Sequence, residues 1–273
     1  MTAMTPSNLD AASQNRAAIT HQVVLRPRSL MEIGDLTTAF LRTHPLIFAK
    51  VLPIALSHCL LVGLLANAKT DAATCWWILW ALGPVTCSVA TVIGGDLLLN
   101  PSTSARSAIM RWRRGLGGLV GGRLLDLLVK SLTFGLLAGS LSFFPEVVLL
   151  ERGGATAISR RSGHLLSATP GRWISLSLLA LLVPLLGLWA GEVAWHGLRW
   201  VTAMPKAPSA LVEQGWSWPA LVGFGCGQFY FAVMRFLAYI DARTRREGWD
   251  LAVRFAGLCD AARVQGSGAR GRP

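Results

Sequence analysis

The sequence predicts an all-α fold, a polytopic bundle of transmembrane helices with about six spans. Its apolar runs are long enough, and residues 221–240 alone supply the roughly 20 residues that a helix needs to cross a bilayer. Only 15% of the residues are charged, against about 25% in a typical soluble domain, and the mean hydropathy is +0.47. Arginines cluster in the short segments between the apolar runs, as in the cytoplasmic loops of membrane proteins.

The charge balance indicates which partners the chain has. A net charge of +12 and a pI of about 10.7 would suggest nucleic acid in a soluble protein. Here the basic residues alternate with apolar runs, so we expect a bilayer with anionic headgroups as the partner, with other membrane proteins as further candidates and no nucleic acid. The five cysteines are scattered without a CxxC pair, which predicts neither a disulfide nor a zinc site. No catalytic motif is present, so we expect no enzyme, metal or cofactor.

The N-terminal part divides into a tail and one amphipathic helix. Residues 1–25 are small, polar and aperiodic, which predicts a disordered tail. Ser29 and Glu32 have the spacing of a capping box, and five apolar residues behind them share one helical face. The flanking arginines favour a helix in the cytoplasmic interface, and a helix packed on the end of the bundle fits equally well. The apolar face comprises Leu30, Ile33, Leu36, Phe40 and Leu41.

Two spans follow. The first covers residues 45–68 with His58 near its middle, where a hydrogen-bonded packing role is favoured over a proton relay. The second runs to about residue 99, opens with the interfacial tryptophans Trp76, Trp77 and Trp80, and should be kinked at Gly83-Pro84.

The middle of the chain is predicted to form a short hairpin. Residues 101–116 form a basic, amphipathic stretch on the inner side. Residues 119–150 are long for one span and short for two, yet the segments before and after them are equally basic. We therefore expect helices over roughly 119–134 and 136–150, packed within the bundle, with one tilted span as the alternative.

The last third supplies two more spans. Residues 151–172 predict another interfacial helix, and residues 173–189 a span kinked at Pro184. Beyond it Glu192, His196 and Arg199 share one side, where a solvated outer helix end is favoured over a binding site.

The final span ends at the inside, and we expect Gly248 to cap it. Asp250 should then start a last helix, followed by a disordered basic tail over residues 263–273. Residues 26–262 thus form a single helical membrane domain with both termini cytoplasmic.

Glycine spacing predicts close helix contacts. Helices in lipid associate through close backbone approach, for which small residues four apart are suited. The chain has several such pairs, and together they predict a tight bundle without a wide pore. The pairs are Gly117/Gly121, Gly118/Gly122, Gly135/Gly139, Gly187/Gly191 and Gly223/Gly227.

Charged residues near the apolar runs need partners, because an unpaired charge at membrane depth is costly. Arg235 and Asp241 lie on different faces of one helix, so Arg235 should meet an acid elsewhere, Asp96 or Glu146. We expect the Glu146 pair, in a structural role rather than in ion transport.

The C-terminal stretch RFLAYIDARTRREGWDLAVR resembles the end of the membrane domain family of glycerophosphoryl diester phosphodiesterase, a bacterial multi-pass family. RPRSLMEIGDLTTAFLRTH and PEVVLLERGGATAISRRSGHLL, with Glu151, Arg161 and Ser162, are similar to two further parts. The resemblance implies an all-helical domain of about six spans in the bacterial cytoplasmic membrane. It implies no hydrolase activity, because that chemistry belongs to a separate barrel domain. The C-terminal matches are Arg235, Tyr239, Asp241, Arg243, Arg245, Glu247, Gly248, Asp250 and Leu251.

These residues form the candidate motif for a lipid, a partner or a structural role. The expected function is a non-enzymatic scaffold or accessory protein that binds partners or anionic lipid at the cytoplasmic face, with a small-solute or lipid transporter or channel as the alternative. A water-lined cavity reaching His58, Asp96 or Glu146 would favour transport. The motif comprises Arg235, Tyr239, Asp241, Arg243, Arg245, Arg246, Glu247, Asp250, Glu146, Glu151 and Arg161.

Overall fold

The structure, a computed structural model, describes residues 28–68, 70–99, 103–132, 143–151, 160–165, 171–202, 211 and 215–248. Within these ranges all regular structure is helical, which confirms the all-α class. Four helical stretches are long and apolar enough to cross a membrane. They are Pro45–Asn67, Ala72–Leu98, Ile174–Val201 and Trp218–Arg245. The tails predicted over residues 1–25 and 263–273, the helix predicted after Asp250, and the Gly135/Gly139 pair lie outside the described residues.

The described chain forms two compact units. The larger comprises Ser29–Ile240, and the smaller contains Arg28 and residues 241–248 of the described chain. The helices are α1 (Leu30–Thr43), α2 (Pro45–Ala55), α3 (Ser57–Asn67), α4 (Ala72–Cys87), α5 (Val89–Leu99), α6 (Ala105–Leu132), α7 (Phe144–Glu151), α8 (Arg172–Val201) and α9 (Trp218–Glu247). Residues 160–165 add a short helical segment.

The capping box that opens α1 is confirmed. The Ser29 amide donates to Glu32 Oε2 at 2.8 Å, and the Glu32 amide donates to Ser29 Oγ at 3.2 Å. The buried face of α1 packs on the bundle, where Tyr230 of α9 donates its hydroxyl proton to the Gly34 carbonyl at 2.9 Å. Two apolar positions of the predicted face, Ile33 and Phe40, are buried.

The first two membrane-crossing stretches are each interrupted once. A turn at Leu56 separates α2 from α3, three residues after Pro53. A turn at Ser88 separates α4 from α5, so the helix continues through Gly83-Pro84 and breaks four residues after the proline. Each proline also lacks an N–H, so the carbonyl four residues before it loses its helical hydrogen bond.

In the structure, the helices of the predicted hairpin do not begin and end where the sequence predicts. A single helix of 28 residues, α6, joins the basic stretch to the first predicted arm, so the arm begins at Ala105 and not near residue 119. Helix α7 runs antiparallel to it, because β-carbons at Gly115, Gly118 and Gly122 would touch Leu149, Val148 and Phe144 in that order. The chain therefore reverses between them, which excludes one uninterrupted helix over residues 119–150. Helix α6 continues through its glycines, and three of them form the face on which α7 packs.

Helix α6 also runs antiparallel to the second membrane-crossing stretch. Arg111 pairs with Asp96, the Trp112 indole donates to Ser88 Oγ at 2.9 Å, and Arg123 reaches the carbonyls of Trp80 and Ala81. Successive contacts therefore move from the end of α5 back toward the middle of α4. At 1.5 Å per residue, the 28 residues of α6 measure about 42 Å, which exceeds the hydrocarbon thickness of a bilayer.

Glycines hold α8 against α9. A β-carbon at Gly187 would meet the carbonyl oxygen of Gly223, and one at Gly191 would meet the carbonyl oxygen of Pro219. One at Gly227 would lie 2.8 Å from Pro184 Cα. The predicted contacts of the Gly187/Gly191 and Gly223/Gly227 pairs are thus confirmed, whereas Gly117 and Gly121 have no described atom within 4 Å of an added β-carbon.

Candidate functional site

The predicted ion pair between Arg235 and Glu146 is confirmed. Arg235 Nε of α9 lies 2.7 Å from Glu146 Oε1 of α7, and the Glu146 side chain has 0% exposure. Phe231 lies one turn earlier on α9, with its ring centroid 5.9 Å from the guanidinium carbon. Asp96, the other acid considered, pairs with Arg111 instead. Both charges are therefore buried together, and the pair fixes α7 to α9.

Glu151 joins three segments of the larger unit. It accepts hydrogen bonds from the Tyr239 hydroxyl at 2.6 Å and from Arg161 Nε at 3.0 Å. Tyr239 lies on α9 and is fully buried, and Arg161 belongs to the short helical segment 160–165. The structure therefore brings together Glu151, Arg161 and Tyr239 of the candidate motif, one turn from the Arg235–Glu146 pair.

The remaining motif residues belong to the smaller unit. Asp241 accepts from the Arg28 amide at 2.8 Å and from Arg245 Nε at 3.0 Å, and Arg245 Nη2 donates to the Arg28 carbonyl at 2.7 Å. These bonds attach the segment before α1 to the last turns of α9. Arg243 is half-buried there. The side chains of Arg246 and Glu247 and the whole of Asp250 lie outside the described residues.

His58 has the hydrogen-bonded packing role that the sequence predicts. Its Nε2 lies 2.8 Å from Gln228 Oε1 and its Nδ1 lies 2.9 Å from Thr86 Oγ1, so both ring nitrogens have partners. With Gln228 Oε1 accepting, Nε2 carries the proton and Nδ1 accepts from Thr86. Gln228, which the sequence analysis did not single out, is 5% exposed and connects α3 to α9. Its polar side chain within an apolar span is the signal that identifies it.

Arg123 bonds to the backbone that Pro84 leaves without a helical partner. Because proline has no N–H, the carbonyl four residues earlier, that of Trp80, lacks its helical donor. Arg123 Nη2 donates to this oxygen at 2.9 Å, and its Nε donates to the Ala81 carbonyl at 3.4 Å. Asp126 binds the third guanidinium nitrogen. Arg123 therefore stabilises the proline-containing helix α4 from the neighbouring helix α6.

We expect the Arg123→Leu substitution to lower the free energy of unfolding by about 1–3 kcal/mol, because it leaves a partly buried carbonyl without a donor. In a Pro84→Ala background the loss should be clearly smaller, since residue 84 then supplies an N–H to Trp80. The measurement is the thermal unfolding midpoint in detergent of the four proteins of this double-mutant cycle. Arg123→Leu also removes the ion pair with Asp126, and this cost is the same with and without the Pro84→Ala substitution. If Arg123→Leu lowers stability equally in both proteins, Arg123 does not have the role assigned to it.

Of the three residues predicted to form a solvated helix end, Glu192, His196 and Arg199, the first is buried. Glu192 is 5% exposed and accepts a hydrogen bond from the Ser217 hydroxyl, which caps the start of α9 through the Ala220 amide at 3.1 Å. His196 Nε2 lies 3.5 Å from the second carboxylate oxygen of Glu192. Burial of Glu192 follows from the close glycine contact between α8 and α9, which brings its helix turn against the start of α9. The prediction of a solvated helix end is therefore wrong for Glu192.

A cavity of about 370 Å³ lies beside these groups, between α4, α6, α7, α8 and α9. Polar residues line it from three helices, Arg123 and Asp126 from α6, Ser177 from α8, and Gln228 and Arg235 from α9. Its other walls are apolar or small and include Trp77 and Ala180. One nitrogen of each of two lining residues, Gln228 Nε2 and Arg235 Nη2, is buried in the protein and has no hydrogen-bond partner among the described residues.

The titratable groups at the site are held by hydrogen bonds and ion pairs. The acids at the site are engaged by arginine, and the histidine is engaged by Gln228 and Thr86. Among the residues that the structure describes, no three His, Cys, Asp or Glu side chains group closely enough to hold a metal ion. Comparison with protein-family models, with curated proteins and with solved structures found no match to this chain.

Proposed function

We propose that this protein is a non-enzymatic, multi-pass membrane protein with six crossings, which binds anionic lipid headgroups at its cytoplasmic face and there supports other membrane proteins. The four apolar helical stretches and the antiparallel pair formed by α6 and α7 support this arrangement. The observation that carries the proposal is the concentration of exposed arginines at one end of the larger unit.

Helix contacts define that end. Helix α9 runs antiparallel to the first membrane-crossing stretch, because Trp218 covers Gly63 and the Phe229 ring centroid lies 6.0 Å from that of Phe48. It runs parallel to the second, since Gln228 covers Gly83 and Phe236 covers Gly94. The start of α2, the end of α5 and residue 240 therefore lie at the same end. The glycine contacts with α9 place the start of α8 there too.

We call the end of the larger unit that contains the start of α2, the end of α5 and residue 240 the basic end. Its exposed arginines follow α1, begin α6 or belong to the segment 160–165, and they comprise Arg42, Arg106, Arg111, Arg113, Arg114 and Arg160. The acids Asp96, Glu146 and Glu151 bind arginines, Glu32 takes part in the capping box, and Asp35 is exposed. An exposed surplus of arginine at one set of helix ends fits the cytoplasmic leaflet, where each basic residue contributes about 1 kcal/mol to the attraction of anionic lipid.

The test replaces Arg106, Arg113 and Arg114 together with glutamine in the full-length protein. Purified protein is titrated with phosphatidylglycerol and with phosphatidylcholine in mild detergent, and the bound lipid is counted by native mass spectrometry. We expect the parent to prefer phosphatidylglycerol, and the triple variant to lose at least about tenfold in that preference because three attractions of about 1 kcal/mol are removed.

The matched control is Arg199→Gln, since Arg199 lies near the opposite end of α8, and it should leave the preference unchanged. A cysteine at exposed Gly163 should be labelled only from the cytoplasmic side, which places the basic end at that leaflet. An unchanged lipid preference in the triple variant would contradict the proposal.

A further inference from the structure

Helix α8 has one side that stays exposed along most of its length. Its apolar window is the least buried of the four membrane-crossing stretches, with 17% of it buried inside the protein. The glycines that pack α8 against α9, Gly187 and Gly191, lie on the opposite side of the helix. The exposed side therefore contacts either lipid or another protein.

Large residues on the exposed side follow a heptad spacing. From Leu182 to Trp200 they recur at alternating steps of four and three residues, as in a helix that packs lengthwise on a second helix. Five of the six are apolar, and all six are exposed. We call this row the α8 stripe, and it comprises Leu182, Leu186, Trp189, Val193, His196 and Trp200.

The α8 stripe continues past the depth that lipid can cover. Gly191 packs against the backbone of Pro219 at the start of α9, and residues 172–191 already supply the roughly 20 residues that cross the hydrocarbon core. The headgroup region adds only about 5–7 Å on each side. Trp200 lies about 13 Å beyond Gly191 along the helix, yet it is 81% exposed. A protein surface is therefore needed to cover this end of the stripe.

The charges around the stripe fit a second copy of this chain. Two copies in one membrane have the same orientation, so a two-fold axis along the membrane normal pairs each stripe residue with its own counterpart at the same depth. Like charges would then repel, and the stripe contains no Asp, Glu, Lys or Arg. The nearest charged residues, Glu192 and Arg199, lie to one side of it, where Glu192 is buried and Arg199 is half-buried.

Small residues on the other side of the stripe allow two helices to approach closely. Ala190 and Gly197 are seven residues apart and both are exposed. A β-carbon at Gly197 would have no described atom within 4 Å. Close approach at small residues is the usual basis of helix association in membranes.

We propose that this protein forms a dimer in which the α8 stripes of two copies pack along each other, parallel and around a two-fold axis normal to the membrane. The contact crosses the bilayer and continues on the side opposite to the basic end, where Val193 and Trp200 meet their counterparts. The dimer depends on the membrane-spanning arrangement of α8 and not on the binding of anionic lipid proposed above.

The first test is crosslinking in intact membranes. Val193→Cys and Trp200→Cys place thiols on the stripe, and Leu198→Cys is the matched control because Leu198 is 52% exposed but lies on the other side of the helix. Membranes are treated with a short bis-maleimide crosslinker, and the parent protein gives the background from the native cysteines. We expect both stripe variants to give a product of twice the chain mass, and Leu198→Cys to stay at the background.

The second test places a charge on the stripe. Val193→Glu brings two like charges together at the same depth, so the dissociation constant of the dimer in mild detergent should rise at least about tenfold. Leu198→Glu adds the same charge away from the stripe and should leave that constant unchanged. Native mass spectrometry of the full-length proteins over a dilution series measures both, and monodisperse elution shows that each variant is folded.

Three results would overturn the proposal. They are a stripe cysteine that gives no dimer or is linked to a different protein, equal crosslinking of Val193→Cys and Leu198→Cys, and equal dissociation constants for Val193→Glu and Leu198→Glu. The triple glutamine variant of the basic end should remain dimeric while it loses its preference for phosphatidylglycerol. Failure of one proposal is therefore distinguishable from failure of the other.

Discussion

Replacing Gly223 with leucine is expected to separate α8 from α9. A β-carbon at Gly223 would meet the carbonyl oxygen of Gly187 and lie 3.0 Å from Gly191 Cα. Both neighbours are backbone atoms, which cannot move aside by changing rotamer. Overpacking usually costs about 1–3 kcal/mol, and a leucine against backbone should reach or exceed the upper value. Only 17% of the apolar window of the third membrane-crossing stretch is buried, so α8 has few other contacts that could compensate.

The measurement is the midpoint of heat-induced loss of the monodisperse protein in mild detergent. Gly227→Leu should behave in the same way, because a β-carbon there would meet Val183 and Pro184 of α8. Gly121→Leu is the matched control, since no described atom lies within 4 Å of its β-carbon position on α6. If Gly223→Leu and Gly121→Leu unfold at the same temperature, the close crossing of α8 and α9 does not hold the bundle together.

Removing one member of the Arg235–Glu146 pair is expected to destabilise the protein by about 3–5 kcal/mol, because the other charge is then buried without its partner. Arg235→Met should therefore be severe, since Glu146 is fully buried. The double variant Arg235→Met, Glu146→Leu should recover most of the loss, because well-packed apolar residues often replace a buried ion pair at little cost.

The charge exchange Arg235→Glu, Glu146→Arg provides the independent check on this pair. It should restore stability relative to either single exchange, and the same thermal assay in detergent measures it. Asp241→Asn serves as a comparison, because Asp241 bonds to Arg245 and to the Arg28 amide in the smaller unit. If both double variants are as unstable as the sum of their single variants, the two side chains do not stabilise each other.

The ion pair shows how far sequence reasoning reaches. Charge burial required a partner for Arg235, and helical spacing excluded Asp241 on its own helix, which left Asp96 or Glu146. Only the structure shows that Asp96 forms its ion pair with Arg111. The same limit applies to Arg123, because the sequence reveals a proline in α4 but not which neighbouring helix supplies the donor to Trp80.

The cavity marks the other limit. Gln228 and Arg235 are visible in the sequence as polar residues within an apolar run, yet periodicity describes one helix at a time. The sequence analysis expected a transport cavity to reach His58, Asp96 or Glu146. The cavity is lined instead by Gln228, the partner of His58, and by Arg235, the partner of Glu146. Which polar atoms stay unused depends on the packing of five helices.

The sequence by itself determined the helical class, the membrane-crossing stretches, the capping box of α1 and the glycine pairs that allow close contact, because each depends on residues that are neighbours along one helix. Tertiary structure alone decided where α6 begins, which acid Arg235 meets, that Glu192 is buried and which helix supplies a donor to the Trp80 carbonyl. Those outcomes depend on contacts between residues far apart in the chain, and side chains that compete for the same partner are distinguished only when the helices are packed.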